Sequence, residues 1–244
     1  MKFIVRKAKL SDAKHIAIVH RSDNPYVTRF LMSGVDSPEN LYRFGGAWMH
    51  EDSCAEHIML FRVYGGEVFV AELDDRVVGH IEVIDDYNRR IGEYAYISVL
   101  VVHRGYRRRG IGRRLVRAVI NYARDLGKDC VLVAAEEQSV GFYKKLGFEI
   151  EEVWLSVHIP AQKHGPIPQK IKKEEAVEEI VNNRYDPIIG RFHGTRMILF
   201  EFVMKYKTLE KLDMQHFFFK KSVGGCPIIA VSYTHLTLPT TERV

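Results

Sequence analysis

The sequence predicts a mixed α/β fold of the α+β type, a mostly antiparallel central sheet flanked by helices, and three observations predict it. Two β-rich runs flank Asp74 and Asp75, the pattern of a hairpin from about Val68 to Ile84. An apolar strand, an amphipathic helix and a second apolar strand follow one another after Glu93. The chain also opens with a strand that runs directly into a helix. At 244 residues, with 46% hydrophobic and 11% aromatic content, it is long enough to bury a core as one large domain or two small ones.

Taken in order, "FIVRKA" (Phe3 to Ala8) is a first strand. "SDAKHIAIVH" is a helix begun by Ser11 or Asp12, whose side-chain oxygens can cap exposed N–H groups. From Arg21 to Tyr64 the pattern is irregular, rich in aromatics and turn residues, with short helical pieces. Its length makes it a candidate binding region. After the hairpin comes the strand "EYAYISVLVV" (Glu93 to Val102). Ile111, Leu115, Ala118, Val119, Tyr122 and Leu126 then recur at helical spacing, and Gly127 ends that helix. "DCVLVAA" is a buried strand, "SVGFYKKLGF" a short helix closed by Gly147, and "EIEEVWLSVHI" another strand. Turn residues surround the amphipathic "EEAVEEIV" (Glu174 to Val181). "RMILFEFVMKY" (Arg196 to Tyr206) is a strong strand, read as the antiparallel partner of the one ending near Ile159. The rival reading is a small second domain starting near Pro160.

Composition excludes several classes. Three widely spaced cysteines give neither a disulfide framework nor a thiolate zinc site and favour a reducing compartment. The eleven histidines hold no HExxH pair or other short metal-ligand spacing, so no metal is expected. The N-terminus has no apolar run of signal-peptide type, and no run approaches the ~20 residues of a membrane span. The expectation is a cytoplasmic protein with no membrane partner. A formal charge of +5 favours anionic partners without naming one.

The densest signal is "HRGYRRRGIGRRL" (His103 to Leu115), with six arginines around three glycines. Arginines at a helix start oppose the macrodipole, because the backbone N–H groups there already carry positive partial charge. An anion resolves that conflict. Glycine lets phosphate oxygens approach the main chain, so a pyrophosphate cradle suits this turn better than a nucleic-acid strip, which needs neither the glycine spacing nor a single helix start.

"VRKAKLSDAKHI", "VFVAELDDRVVGHIEV", "LVVHRGYRRRGIGRRLV" and "SVGFYKKLGF" together resemble, in order and spacing, the successive motifs of the GNAT superfamily of N-acetyltransferases. The resemblance covers roughly Met1 to Leu155 and is expected to extend to Tyr206. It implies a central sheet whose middle strands splay apart, and transfer of an acetyl group from acetyl-CoA to a primary amine by direct attack on the thioester. Arg107, Arg108, Arg109, Gly110, Ile111, Gly112 and Arg113 would hold the pyrophosphate. Leu100, Val101 and Val102 would carry the backbone that pairs with the pantetheine arm, and an N–H near Val99 or Leu100 would polarise the thioester carbonyl. Tyr143 is the candidate donor to the leaving thiolate. Glu93 is the first candidate for the base that takes the ammonium proton, with Glu82 and His80 beside it. Glu136 and Ser139 depart from the family's usual Asn and Ala at the cofactor arm.

The expected organisation is an acetyltransferase domain over 1–206 with an insertion at about 160–195, and a truncated extension over 207–230. "VSYTHLTLPT" (Val231 to Thr240) reads as the translation of a transposase adapter used for sequencing libraries, so 231–244 is set aside as non-native. The acceptor is expected to be a small-molecule or peptide amine, and a homodimer is allowed. Two other functions stay open: a catalytically weak acyl-CoA-binding regulatory module, and a basic protein associated with RNA or the ribosome, nucleic acid being the less favoured partner.

Overall fold

A computed structural model describes residues 2–23, 46–88, 91–151 and 169–172, together with 174–175, 178, 188–189, 192–193, 196–197, 200, 216–223 and 226–233. The chain divides into two compact units, Met1–Glu149 and Ile150–Val244. In the first unit the elements run β1 (Phe3–Lys7), α1 (Ala13–Arg21), α2 (Glu51–Val63), β2 (Gly66–Leu73), β3 (Arg76–Asn88), β4 (Gly92–Val102), α3 (Ile111–Asp125), β5 (Cys130–Val133) and α4 (Glu137–Lys144). They form a five-stranded sheet in the order β1-β2-β3-β4-β5. The first three pairings are antiparallel and β4 with β5 is parallel. The mixed, mostly antiparallel sheet flanked by helices is therefore the observed architecture.

Local chemistry accounts for the element ends. Asp74 and Asp75 both take positive φ (47° and 62°), the left-handed geometry a two-residue hairpin needs to match strand twist. Gly127, at φ 69°, ends α3 while the Lys128 N–H returns to the Ala123 carbonyl. Asp12 precedes α1 but makes no forward cap. Its carboxylate is drawn back to the Lys9 N–H and to the Arg6 guanidinium, both at 2.7 Å, because a charged partner outcompetes the helix amides. The larger difference is α2, a 13-residue helix where short pieces were expected. Cys54, Ile58 and Phe61, each at most 1% exposed, form a narrow apolar stripe, and the His50 side chain accepts the Asp52 N–H at its start. Tyr26, Phe30, Tyr42, Phe44, Asp36 and Glu39 lie outside the described residues.

One face of the sheet packs on α3. Ile81, Val83, Ala95 and Ile97 meet Ile111, Leu115, Val116 and Val119 there in one buried cluster. The other face is covered by α1 and α2, which contact each other and the strands β3 and β2.

In the second unit β6 (Gln169–Ile171), β9 (His216–Val223) and β10 (Cys226–Tyr233) form an antiparallel sheet in the order β10-β9-β6, and β7 (Ile188–Ile189) pairs with β8 (Phe192–His193). The strand expected from Arg196 to Tyr206 is not what its described residues form: Arg196, Met197 and Phe200 are helical. Met197 and Phe200 are both buried three residues apart, the spacing of one helix face, and a continuous apolar run does not distinguish that face from a buried strand. Residues 152–159, expected as a strand, lie outside the described set.

The face under α1 and α2 encloses a polar cluster. His80 and Glu82, on β3, are 0% and 1% exposed. Glu82 accepts from Trp48 Nε1 at 2.7 Å and pairs with His57 Nε2 at 3.1 Å, while His80 Nε2 meets His20 Nε2 at 2.5 Å. Burial works to raise the Glu82 pKa, but the field and hydrogen bond of His57, then His80 and Trp48, overturn it and hold it at about 2. Burial lowers His80 to about 4 and holds His20 well below the ordinary histidine value.

The sign of the pH dependence follows. The unfolded chain protonates these histidines near 6.5 and the folded one resists, so their contribution is complete above 6.5 and is lost as pH falls toward 4. Glu82 adds a second loss from 4.5 toward 2. Urea midpoints measured from pH 8 to pH 4 are expected to decline throughout that lower window, with a shallower decline in His80→Leu. Gly66→Ala is expected to destabilise by roughly 1–3 kcal/mol, since its Cβ would lie 2.4 Å from the buried Phe61 ring. Thermal melting checks this.

Candidate active site

The site is built on the far half of β4. Up to Ile97 this strand is held on both edges, by β3 and by β5, whose parallel pairing runs from Tyr94↔Cys130 to Ile97↔Val133. From Ser98 onward β4 has no partner on the β5 side among the described residues. Burial follows the pairing: Tyr94 to Ile97 are buried and Ser98 to Val102 are half-buried.

At the same point the register with β3 shifts. Glu82 faces Val99 and Val83 faces Ile97, so Ser98 is an extra residue, a bulge. Beyond it the His103 N–H bonds the Val78 carbonyl at 2.9 Å. Hydrogen-bonding residues alternate along an antiparallel pair, so Val101 and Val99 turn their backbone groups toward β3 while Leu100 and Val102 turn theirs to the open edge. Of the two expected donors to a carbonyl, alternation selects the Leu100 N–H. The Val102 carbonyl is already taken, accepting from Arg107 Nε at 3.1 Å.

The chain then passes through a 3-10 turn, Arg104–Tyr106, into α3. Gly110 precedes this helix at φ 77°, ψ 5°, with no side chain capping the first amides. A Cβ there would meet nothing within 4 Å, so the space over the turn is open. The first-turn N–H groups of Ile111, Gly112 and Arg113 therefore lie at the positive end of the helix with no side chain capping them. The arginines divide in two. Arg107 is engaged, pairing with Asp23 at 2.5 Å as well as with Val102. Arg108, itself at φ 62°, and Arg113 are exposed, and Arg109 lies over the Tyr106 ring at 5.4 Å.

Tyr143, on α4, is 8% exposed and belongs to the same cluster as Ile111, Leu100 and Val102. Phe142 lies 3.4 Å from where a Gly112 Cβ would stand, which seats α4 beside the start of α3. Phe142 and Phe148 meet the Tyr143 ring edge-on at 5.0 and 5.4 Å. Burial, and secondarily Tyr96, raise its phenol to about 12, so it is a proton donor at neutral pH. Glu136 is the residue before α4; its carbonyl accepts the Ser139 N–H at 2.8 Å and its carboxylate contacts Gln138.

Glu93 is not brought to this group. It sits six residues before Val99, about 20 Å back along β4, and its carboxylate pairs with Lys128 at 2.7 Å. Glu82 and His80 lie much nearer, opposite Val99 and Val101, but inside the polar cluster. Ser98, His20 and His57 carried no signal in the sequence, whereas Trp48 belongs to the aromatic-rich region expected to bind the acceptor. Cys54 is no nucleophile, because burial, then the Glu82 charge, pushes its thiol far up. Among the described residues no three His, Cys, Asp or Glu side chains are placed to hold a metal ion, and no helix is long and apolar enough to cross a membrane.

Comparison with known proteins agrees with this geometry. The chain is 31% identical over 80 residues to glucosamine 6-phosphate N-acetyltransferase 1 of Oryza sativa subsp. japonica, which covers 33% of this chain and 48% of that protein. It is 30% identical over 83 residues to N-alpha-acetyltransferase 30 of Schizosaccharomyces pombe, covering 33% of this chain and 55% of that one. The chain thus spans about half the length of these curated relatives. A crystal structure of a transcriptional regulator from Bacillus halodurans C-125 shares the fold, at 20% identity and a TM-score of 0.50, over 65% of this chain and 100% of that one. Residues 36–148 match the family described as "Acetyltransferase (GNAT) family", and they contain the open edge of β4, the Gly110 turn and Tyr143. Over that segment the chain is similar to the GNAT acetyltransferase family.

Proposed function

We propose that this protein is an acetyl-CoA-dependent N-acetyltransferase that passes the acetyl group to a primary amine by direct attack on the thioester. The observation that carries the reading is the continuity from the open edge of β4 to the uncapped start of α3. One feature offers backbone to an extended chain and the other offers amides to a diphosphate, as the two ends of one CoA molecule require.

Acetyl-CoA supplies an activated acetyl group. The residues fit it, because Gly110 leaves the turn open and the anion would face α3 amides with Arg108, Arg109 and Arg113 around them. The free Leu100 backbone groups can pair with the pantetheine arm. The Leu100 N–H can also stabilise charge developing on the acetyl oxygen, a kind of contact worth roughly 3 kcal/mol. Tyr143 has no hydrogen-bond partner for its hydroxyl among the described residues, and its high pKa keeps it able to donate to the leaving sulfur. Direct transfer accords with the inert Cys54. The named relatives support an amine acceptor, whether a small molecule or a protein. A cytoplasmic location accords with Cys54 and Cys130 both being free thiols.

Thiol release from acetyl-CoA with a panel of sugar amines, polyamines and peptide N-termini tests the reading. Turnover with at least one amine is expected; tight CoA binding without transfer to any of them would turn the protein into a binding module. Tyr143→Phe is expected to lower kcat roughly 10²-fold with little change in CoA affinity. Gly110→Ala strains a left-handed position by about 1 kcal/mol and is expected to weaken CoA by roughly tenfold, read by calorimetry.

A further inference from the structure

Glu82 is a carboxylate buried where the acetyl-transfer reading gives it no task. It stands opposite Val99, at the point where the β3–β4 register shifts. Its Oε2 faces the hydroxyl of Ser98, the bulged residue, at 3.4 Å and His57 Nε2 at 3.1 Å, and its Oε1 accepts from Trp48 Nε1 at 2.7 Å. His80 Nδ1, which has no hydrogen-bond partner among the described residues, lies 3.9 Å from Oε1. Four groups from four segments thus converge on one ion, and one of them belongs to the bulge.

The bulge decides which amides of β4 can act. On its early side Ile97 and Ala95 turn their backbone outward to β5; on its late side the outward residues are Leu100 and Val102. Without the extra residue, the outward set would continue as Val99 and Val101, and the side chains would exchange faces with them. Leu100 and Val102, now packed in the cluster against α3, would turn toward α1 and α2. A bulge in a partly unpaired strand has little of its own to hold it. The hydroxyl–carboxylate contact adds a restraint from the other face of the sheet.

We propose that Glu82 is a positioning residue for acetyl transfer: anchored by Trp48 and His57, it holds Ser98 and so keeps the bulge where it turns the Leu100 N–H to the open edge. This rests on the acetyltransferase reading only for its catalytic consequence. Placement of the bulge is structural and can be measured without turnover.

The experiment compares Glu82→Gln and Ser98→Ala with the wild-type full chain by amide hydrogen exchange resolved at Val99, Leu100 and Val101, by CoA calorimetry, and by acetyl-CoA turnover with the amine found above or with water. In the wild type, Val99 and Val101 are expected to be protected and Leu100 to exchange quickly. In Ser98→Ala, which removes only the tether, that contrast is expected to shrink. Its kcat should fall by roughly fivefold or more, while CoA affinity and KM for acetyl-CoA stay within about threefold. Glu82→Gln should do the same more strongly, because an amide places a donor among donors. An unchanged exchange pattern in Ser98→Ala overturns the proposal, even where Glu82→Gln fails to fold. Equal loss of CoA affinity and kcat in Ser98→Ala also overturns it. If the wild type transfers no acetyl group, the function is wrong, and the exchange arm still decides whether Glu82 sets the bulge.

Discussion

A β-strand residue can direct its backbone hydrogen bonds to one neighbour only, and the organisation of this unit follows from how β4 distributes them. For its first half, β4 is shared between β3 and β5; past Ser98 it keeps β3 and loses β5. In a soluble sheet an unpaired edge in a central position is costly unless something else bonds it, since buried N–H and C=O groups are almost always paired. Two responses are visible. Arg107 reaches back to the Val102 carbonyl, and the residues of this half are left half-buried instead of enclosed. An open edge set between packed helices is a place for a linear ligand to complete the sheet.

The charges around the turn follow the same logic. Elsewhere in the unit, cations near the sheet are neutralised: Arg6 by Asp12 and Glu72, Lys7 and Arg62 by Glu67, Lys128 by Asp85 and Glu93. At the start of α3, among the described residues, Arg107 is paired, and its partner Asp23 follows α1. The adjacent contact from the Arg104 N–H to Ser22 Oγ, 3.0 Å, ties the same two segments. An exposed ion pair of this kind contributes at most about 1 kcal/mol. Its effect is to place the turn, whereas Arg108, Arg109 and Arg113 stay exposed beside it.

Much of the fold and the glycine turn at the start of α3 was legible because both rest on local sequence. Asp74-Asp75 between β-rich runs, the α3 stripe ending at Gly127, and the Arg107 to Gly112 turn are short-range patterns with a geometric reason for each residue. Where the structure departs from the sequence reading, or sets a residue apart from the site, the cause is a signal that local patterns do not carry. Helix α2 carries Cys54 in its apolar stripe and His57 beside it, so it read as irregular. The Arg196 to Tyr206 run is continuously apolar from Met197 to Phe200 and has no period to read there. Glu93 looked like a base because a strand start beside an apolar run suggests a cleft. Its partner Lys128 lies 35 residues away in sequence, and only the parallel pairing of β4 with β5 brings them together. "GHIEVI" did advertise buried polar groups, by setting a histidine and a glutamate at alternate positions of a core strand. What it could not supply was their partners, contributed by Trp48, His57 and His20 from segments far along the chain.

The two acids nearest the open edge are driven in opposite directions, and both shifts suit an acetyl transfer. Tyr143 is enclosed by apolar rings with no cation beside it, so its proton stays on and its hydroxyl can give a hydrogen bond to a sulfur that gains charge. Glu82, equally enclosed, is surrounded by donors and stays ionised. A carboxyl held at about 2 is a poor general base at neutral pH, because the transfer to it from an ammonium group is steeply uphill. Its chemistry is that of a fixed anchor, and that argument directs attention from proton abstraction to strand geometry. On the proposed reading the ammonium proton would leave by another path, and the buried side of the sheet would act by keeping one amide, that of Leu100, turned to the open edge of β4.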